Sequence, residues 1–570
     1  MAARLSPQQL SEKHRPTLDQ ALDTIRTRAY WSPHPEHPKA YGESAPADGL
    51  AAFEALRDTR FELDQPGTDD WTGGEVSPYG PALGVTYPHP DLDVLLPAMR
   101  AGTAAWRDAG PETRALVCVE ILARISARTH EFAHAVMHTS GQAFMMAFQA
   151  GGPHAQDRGL EAVAYAFAEQ TRTPSVADWS KPQGKRDPLE LRKSFVAVPR
   201  GIALLVGCNT FPTWNGYPGL FASLATGNAV LVKPHPRAVL PLALTVRVAR
   251  EVLAETGFDP NLVALAAERP GEGIAKTLAV RPEIRIIDYT GSTAFGDWLE
   301  THARQAQVYT EKAGVNTVLV DSTDNYRGML ANLAFSLSLY SGQMCTTPQN
   351  VLIPKDGITT DAGEKTYDEV VADLAAAVDG LLGDDARANA LLGTLVNDGV
   401  KDRLATAGTL GDVALASREV AHPDFPDAVV RTPAIVRADG SRKAWDKAWE
   451  AGVEAEVPYL SECFGPVSFA IAVDSTQDAL ELLRRTVRER GAMTVGAYTT
   501  SEDVERAVEE VCLEESAQLS LNLTGGVYVN QTAAFSDFHG SGGNPAANAA
   551  LCDAAFVANR FRVVEVRRQA

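Results

Sequence analysis

The sequence predicts an α/β fold with more than one core, and three observations carry that expectation. From Phe195 to Val320, short aliphatic and β-branched runs alternate with helix-length segments, as in a parallel sheet whose strands are buried on both faces. A second alternating block runs from Val351 to about Tyr498. The stretch Val557 to Arg568 contains Phe-Arg-Val-Val-Glu-Val, whose alternation fits an edge strand able to pair with another element or subunit. At 570 residues the chain is long enough for two or three cores.

Residues 1 to 90 open with a helix-like stretch around Leu18 to Tyr30. They then turn rich in Pro and Gly, as in Trp31-Ser-Pro-His-Pro and Tyr87-Pro-His-Pro, which reads as an irregular extension or wrapping arm. Between Leu95 and Arg172 apolar residues recur at helical spacing, with a break expected at Gly151-Gly-Pro153. Strands are expected at Phe195 to Val198, Ile202 to Val206, Ala229 to Val232, Val263 to Ala266, Ile284 to Ile287 and Val318 to Val320. A long polar stretch separates Asp356 from Arg387.

Charge and cysteine usage narrow the function. A net charge of −20 argues against nucleic acid or an anionic membrane as the main partner, since both require clustered positive surface. The six cysteines form no CxxC pair and fit the reduced thiols of a cytoplasmic protein. The first residues are polar within a few positions and predict no secretory signal, and no apolar run reaches the ~18 residues of a membrane span.

Four segments carry candidate chemistry. Cys345 follows the Gly342-Gln343-Met344 turn, and Glu311 lies 34 residues upstream, a thiol nucleophile with a carboxylate base. Ile286-Ile-Asp-Tyr-Thr-Gly291-Ser292-Thr-Ala-Phe-Gly296 sets glycines after a strand and at a helix start near Ser292, where N–H groups and the helix dipole favour a phosphate. Lys233 ends a strand and is followed by Pro-His235-Pro-Arg237, placed to meet a ribose hydroxyl or phosphate. Glu462 and Phe464 share one turn, a carboxylate for a sugar diol beside an aromatic that can hold a ring. Taken singly, each has a plainer reading as a buried cysteine, a capped turn or a solvated side chain.

A competing pattern is His130-Glu-Phe-Ala-His134, the H-E-x-x-H of zinc metalloproteases. At about 100° per residue both histidines fall toward the polar face of their helix, and no third ligand follows in the expected Gly-x-x-His pattern. No metal is therefore expected.

Placed in order, these segments resemble the aldehyde dehydrogenase superfamily over roughly residues 95 to 570. The resemblance implies an N-terminal extension over 1–90, a Rossmann-type NAD(P)-binding domain from 91–185 and 199–310, an α/β catalytic domain over 311–530, and a small β oligomerisation flap from 186–198 and 555–570. It implies NAD(P)-dependent oxidation of an aldehyde to an acid through a thiohemiacetal and a thioester on Cys345, with Glu311 as base. Lys233, Gly291, Ser292, Gly296, Glu462 and Phe464 would hold the cofactor. Cys208-Asn-Thr-Phe-Pro-Thr-Trp-Asn-Gly-Tyr-Pro-Gly219 and the N-terminal arm look like the PaaN group of phenylacetate degradation, without the hydratase domain fused to some relatives. That likeness implies a semialdehyde carried on coenzyme A as substrate, and the family a homodimer or an assembly of dimers. The alternatives are a relative in which a second coenzyme A takes the thioester in place of water, and a silent binding module, which would lack the nucleophile or the base.

Three departures from the family pattern bear on detail. The oxyanion asparagine normally directly precedes Phe-Pro, whereas the order here is Asn209-Thr210-Phe211-Pro212; Asn209 is preferred, with Thr210 and Asn215 as the other candidates. The base segment reads Glu311-Lys-Ala-Gly in place of Glu-Leu-Gly-Gly. Pro236 replaces the acidic residue that binds the adenosine ribose, with His235 and Arg237 beside it, a change that favours a 2′-phosphate and so NADP, with NAD as the other cofactor.

Overall fold

Ile202-Ala-Leu-Leu-Val206 and Ala229-Val-Leu-Val-Lys233 are buried at every position, as strands covered on both faces must be. In the computed structural model, which describes residues 5–453 and 456–570, they lie at the heart of a five-stranded sheet. Its order is Val263–Leu265, Ala229–Lys233, Ile202–Val206, Ile284–Thr290, Gln307–Glu311, and every neighbouring pair is parallel. The chain enters in the middle, winds out to one edge and returns to fill the other side. The strand order therefore reverses beside Ile202–Val206, which opens a crevice at the carboxyl ends of the strands. Lys233 and Glu311 are each the last residue of their strand, and Gly291 follows Thr290 directly.

The helices Ala155–Thr171, Pro212–Ala225 and Leu240–Thr256 are buried along most of their length and belong to the same core as this sheet. A residue of the N-terminal region holds one of them: Glu75 Oε1 accepts the N–H groups of Val239 at 2.6 Å and Leu240 at 3.2 Å, at the start of Leu240–Thr256, while Tyr87 donates its hydroxyl to Oε2. Near the end of the chain, the fully buried Arg560 pairs with Asp288 of the central sheet at 2.6 and 2.8 Å and donates to Ser223 at 2.7 Å.

The second sheet has seven strands, in the order Asp412–Leu415, Ala434–Gly440, Val467–Val473, Asn350–Pro354, Thr317–Val320, Val495–Tyr498, Leu519–Leu521; only the edge strand Asp412–Leu415 runs antiparallel. The polar stretch after Asp356 hides a helix, Tyr367–Leu382, begun by a capping box of Thr366 and Glu369. Val370, Leu374 and Val378 recur every fourth residue on its buried face, and the charges occupy the other face.

Strands Val176–Gln183, Arg186–Pro199 and Phe561–Gln569 form a separate antiparallel sheet with Arg186–Pro199 in the middle. Val176–Gln183 thus joins the flap, although a boundary at residue 186 would leave it with the preceding helices. Its pairing with Arg186–Pro199 through a tight turn explains the difference. Within one chain the flap exposes Trp179, Leu189, Val563 and Val564.

The N-terminal helix begins earlier than its apolar spacing predicts, at Pro7, because Ser6 and Gln9 form a capping box, and it ends at Thr27. It packs on Gly110–Ser126, with His14 Nε2 2.5 Å from Glu120 Oε2. The histidines of Thr129–Ser140 do not face water as expected. The segment Ala45–Glu54 covers them, with Phe53 stacked on His134 and His138 at 5.8 and 5.0 Å, and His130 reaches the Pro38 carbonyl at 3.2 Å. Gly151-Gly-Pro153 does not break the chain either: Ala150–His154 forms a π-helical turn that links Phe144–Gln149 to Ala155–Thr171. Among the described residues no helix is long and apolar enough to cross a membrane.

Candidate active site

A turn of three consecutive left-handed residues delivers Cys345. After helix Tyr326–Ser338, Tyr340, Ser341 and Gly342 have φ of 53°, 52° and 67°, a conformation that side-chain-bearing residues hold only where the surroundings fix it. Tyr340 is buried and gives its hydroxyl to the Ser140 carbonyl, and Ser341 donates to the Gly393 carbonyl at 2.9 Å. A Cβ on Gly342 would stand 2.5 Å from the Gly465 carbonyl oxygen. Beyond the turn, Asn316 Nδ2 donates to the carbonyls of Cys345 at 2.7 Å and Thr347 at 3.1 Å, while its Oδ1 accepts the N–H groups of Met493 and Thr494. The thiol loop is pinned on both sides.

Glu311 reaches the thiol from the other sheet. Its backbone carbonyl accepts the Gly291 N–H at 3.0 Å, which ties it to the turn after Ile284–Thr290. Asn215 Nδ2 donates to Oε2 at 3.0 Å, and Oε1 lies 3.2 Å from Nε2 of His539. The same His539 nitrogen is 3.6 Å from the Cys345 sulfur, so that one atom from each of Glu311, Cys345 and His539 lies within 4.8 Å of the other two. Burial pushes the Cys345 thiol up, and the Glu311 carboxylate pushes it further the same way. Burial also pushes the Glu311 carboxyl up, but the adjoining His539 imidazole, with bonds from Cys345 and Asn215, leaves it below the ordinary carboxylate range.

Cys345, His539 and Asn215 line a cavity of about 490 Å³ whose other walls include Trp31, Met145, Phe211, Trp214 and Phe335. Asn215 and Glu311 also line a smaller cleft beside Gly207 and Thr290, at the carboxyl ends of the five-stranded sheet. The expected oxyanion donor Asn209 is absent from both. It precedes the helix Pro212–Ala225 in a turn that directs its amide to the Thr139 carbonyl at 2.9 Å, and Thr210 gives its own carbonyl to Gln142. Six residues on from Asn209, Asn215 lines the cavity and donates its amide to Glu311.

The sequence model of the aldehyde dehydrogenase family matches residues 88–416. The chain belongs to the aldehyde dehydrogenase family. A solved NAD-dependent aldehyde dehydrogenase from Burkholderia multivorans is 55% identical, with a TM-score of 0.94 over 98% of this chain and 99% of that one. The 1-pyrroline-5-carboxylate dehydrogenase of Bacillus licheniformis is 27% identical over 47% of this chain; the match spans only 48% of that enzyme, about half its length. The succinate-semialdehyde dehydrogenase of Paenarthrobacter nicotinovorans is 24% identical over 79% of this chain and 92% of its own length.

The remaining candidates lie at a strand end, at a helix start and in a cleft beside the thiol loop, and their donor set fits a dinucleotide. Ser292 is the N-cap of helix Thr293–His302 and makes no side-chain capping bond, which leaves the first N–H groups of that helix to a phosphate. Gly291 and Gly296 are needed for packing: a Cβ there would stand 2.4 Å from the Tyr289 hydroxyl or 2.5 Å from Lys312 Cδ. Lys233 is buried and paired with Glu268, whose second oxygen accepts the Ile274 N–H at 2.9 Å. This pair alters the electrostatics expected from Pro236, because Glu268 returns a carboxylate to the strand end from 35 residues downstream. Burial, with Lys233 and Arg237 nearby, lowers His235 to about 4 and leaves it neutral at pH 7. Glu462 and Phe464 line a narrow cleft with Gly314 and Met344, next to the thiol loop. His539 escapes sequence reasoning altogether. It is a lone histidine in the Gly- and Asn-rich segment around Phe538-His-Gly540, and it marks no motif.

Proposed function

We propose that the protein oxidises an aldehyde to a carboxylic acid with a nicotinamide dinucleotide, through a covalent intermediate on Cys345. The convergence of the Cys345 thiol with the Glu311 carboxylate beside a 490 Å³ cavity carries this reading. Cys345 Sγ adds to the carbonyl carbon, and the oxyanion that forms meets the Cys345 N–H and the Asn215 amide. The bound cofactor supplies the hydride acceptor. Glu311, kept ionised, takes a proton from the water that cleaves the Cys345 thioester, which frees the acid and the thiol. Lys233, Glu268 and the helix start at Ser292 hold the adenosine half of the cofactor, and Glu462 with Phe464 the nicotinamide ribose. The Lys233–Glu268 pair and the neutral His235 favour NAD over NADP, as does the likeness to the NAD-dependent Burkholderia enzyme.

The substrate we favour is a coenzyme-A-linked semialdehyde of phenylacetate breakdown. Its support is the PaaN-like segment Cys208–Gly219 and the N-terminal arm, which lends Tyr30 and Trp31 to the cavity wall. A second copy docked on the exposed flap residues Val563 and Val564 would complete a homodimer, and six free cysteines suit the cytoplasm. Cofactor reduction across a panel of aldehydes, each with NAD and with NADP, tests the reading. NAD-linked oxidation that vanishes in Cys345→Ala, with dinucleotide binding retained, is expected; turnover in that variant would overturn it.

A further inference from the structure

We infer that His539 is the base that ionises Cys345, so that thiol activation and water activation fall to different residues. This rests on the aldehyde-oxidising reading but concerns a separate step. Nε2 of His539 stands 3.6 Å from the sulfur and 3.2 Å from Glu311 Oε1, within reach of both. Its neighbours hold the ring in that position. It packs edge-on against Trp214 at 4.6 Å, and the backbone N–H and carbonyl of His539 exchange 2.9 Å bonds with Leu551.

Charge conservation explains why a second base is useful. Loss of the thiol proton to solvent would leave two negative charges, on Cys345 and Glu311, side by side in a buried site. Transfer of that proton from Sγ to Nε2 keeps the site at one net negative charge and puts the imidazolium between the two anions. Glu311 is the poorer acceptor, since a carboxylate is about two pKa units less basic than imidazole. In the forward step the S–H bond breaks, Nε2–H forms, and the thiolate electron pair makes the bond to the aldehyde carbon. When water later cleaves the thioester, the departing thiolate meets the same imidazolium and takes the proton back. Glu311 remains a carboxylate throughout the first half and is free to accept the water proton in the second. The other titratable groups around the imidazole are Asp537 on its own segment, Cys208 and Glu462 beyond the thiol, and Arg158 stacked 5.3 Å over Trp214. Of these only Arg158 is cationic, and it and the imidazole both pack against Trp214.

The test is the pH dependence of Cys345 alkylation by iodoacetamide in the full-length protein, compared between the wild type and His539→Gln and His539→Ala, beside steady-state aldehyde oxidation. In both variants the alkylation inflexion should move above the ordinary thiol range of about 8.5, and the rate at pH 7 should fall about a hundredfold. Added imidazole should restore part of the rate in His539→Ala. A profile that does not move overturns the inference. Should neither variant fold, the wild-type profile decides: an inflexion below about 7 supports the pair, and a single inflexion above 8.5 overturns it. If the wild type oxidises no aldehyde while alkylation still depends on His539, the proposed function fails and the thiol–imidazole pair stands.

Discussion

Glu311 is held by its neighbours in the state that the second half of the proposed reaction needs. Asn215 donates to one oxygen, His539 Nε2 stands 3.2 Å from the other, and the carboxyl lies below its ordinary range. Glu311→Gln preserves the shape and removes the basicity. Turnover should fall about a hundredfold or more while a single-turnover burst of reduced cofactor survives, which stopped-flow absorbance would detect; an unchanged steady-state rate would count against Glu311 as base. Cys345 and Glu311 were legible in the chain because their separation and flanking turns form a joint pattern. The amide and imidazole partners were harder to read. Asn215 lies five residues beyond the position that gap-free alignment points to, and His539 is 194 residues from the thiol it touches. Spacing along a sequence carries no sign of a contact made by folding.

At the scale of elements, the left-handed turn Tyr340-Ser341-Gly342 decides where the sulfur sits. Gly342→Ala adds a methyl 2.5 Å from the Gly465 carbonyl at a φ of 67°. The cost should be roughly 1 to 3 kcal/mol of stability, with a larger loss of activity than of stability as the thiol shifts. Thermal melts set beside kcat/KM would check this, and an alanine variant with wild-type activity would contradict it. Ile202–Val206 was plain in the sequence because Ile, Ala, Leu and Val fill it without interruption, whereas the parallel strand Gln307–Glu311 went unread because it is polar at both ends, and Tyr367–Leu382 was obscured by the charges on its outer face even though its buried residues keep helical spacing. The π-turn at Ala150–His154 shows the limit of reading glycine and proline as punctuation, since its neighbours on both sides remain helical.

Across the whole molecule, the N-terminal region is built into the fold. Glu75, buried at the head of Leu240–Thr256, is raised by burial from 4.5 to about 7, against the opposing bonds from Tyr87, Val239 and Leu240. A carboxyl whose folded pKa is raised contributes stability that is whole below its unfolded pKa and is lost as pH climbs through the folded value. Between about pH 4.5 and 7 the wild type should therefore lose stability, on the order of 3 kcal/mol, that Glu75→Gln does not lose. The difference in Tm between the two should move in favour of the variant from pH 5 to pH 8; a constant difference would show that Glu75 stays ionised in the fold. Nothing in the Pro- and Gly-rich composition of residues 1 to 90 announced this role, because the carboxylate meets its partners 164 and 165 residues away.

The chamber around the sulfur joins Trp31 to His539, so its wall closes only when distant stretches of the polypeptide meet. Ribosomes release a chain from its front, and early segments begin to fold while later ones are still being made. A nascent polypeptide therefore carries Cys345 for a time without the imidazole beside it. The sulfur meets its imidazole neighbour only after residue 539 has been made and folded into place.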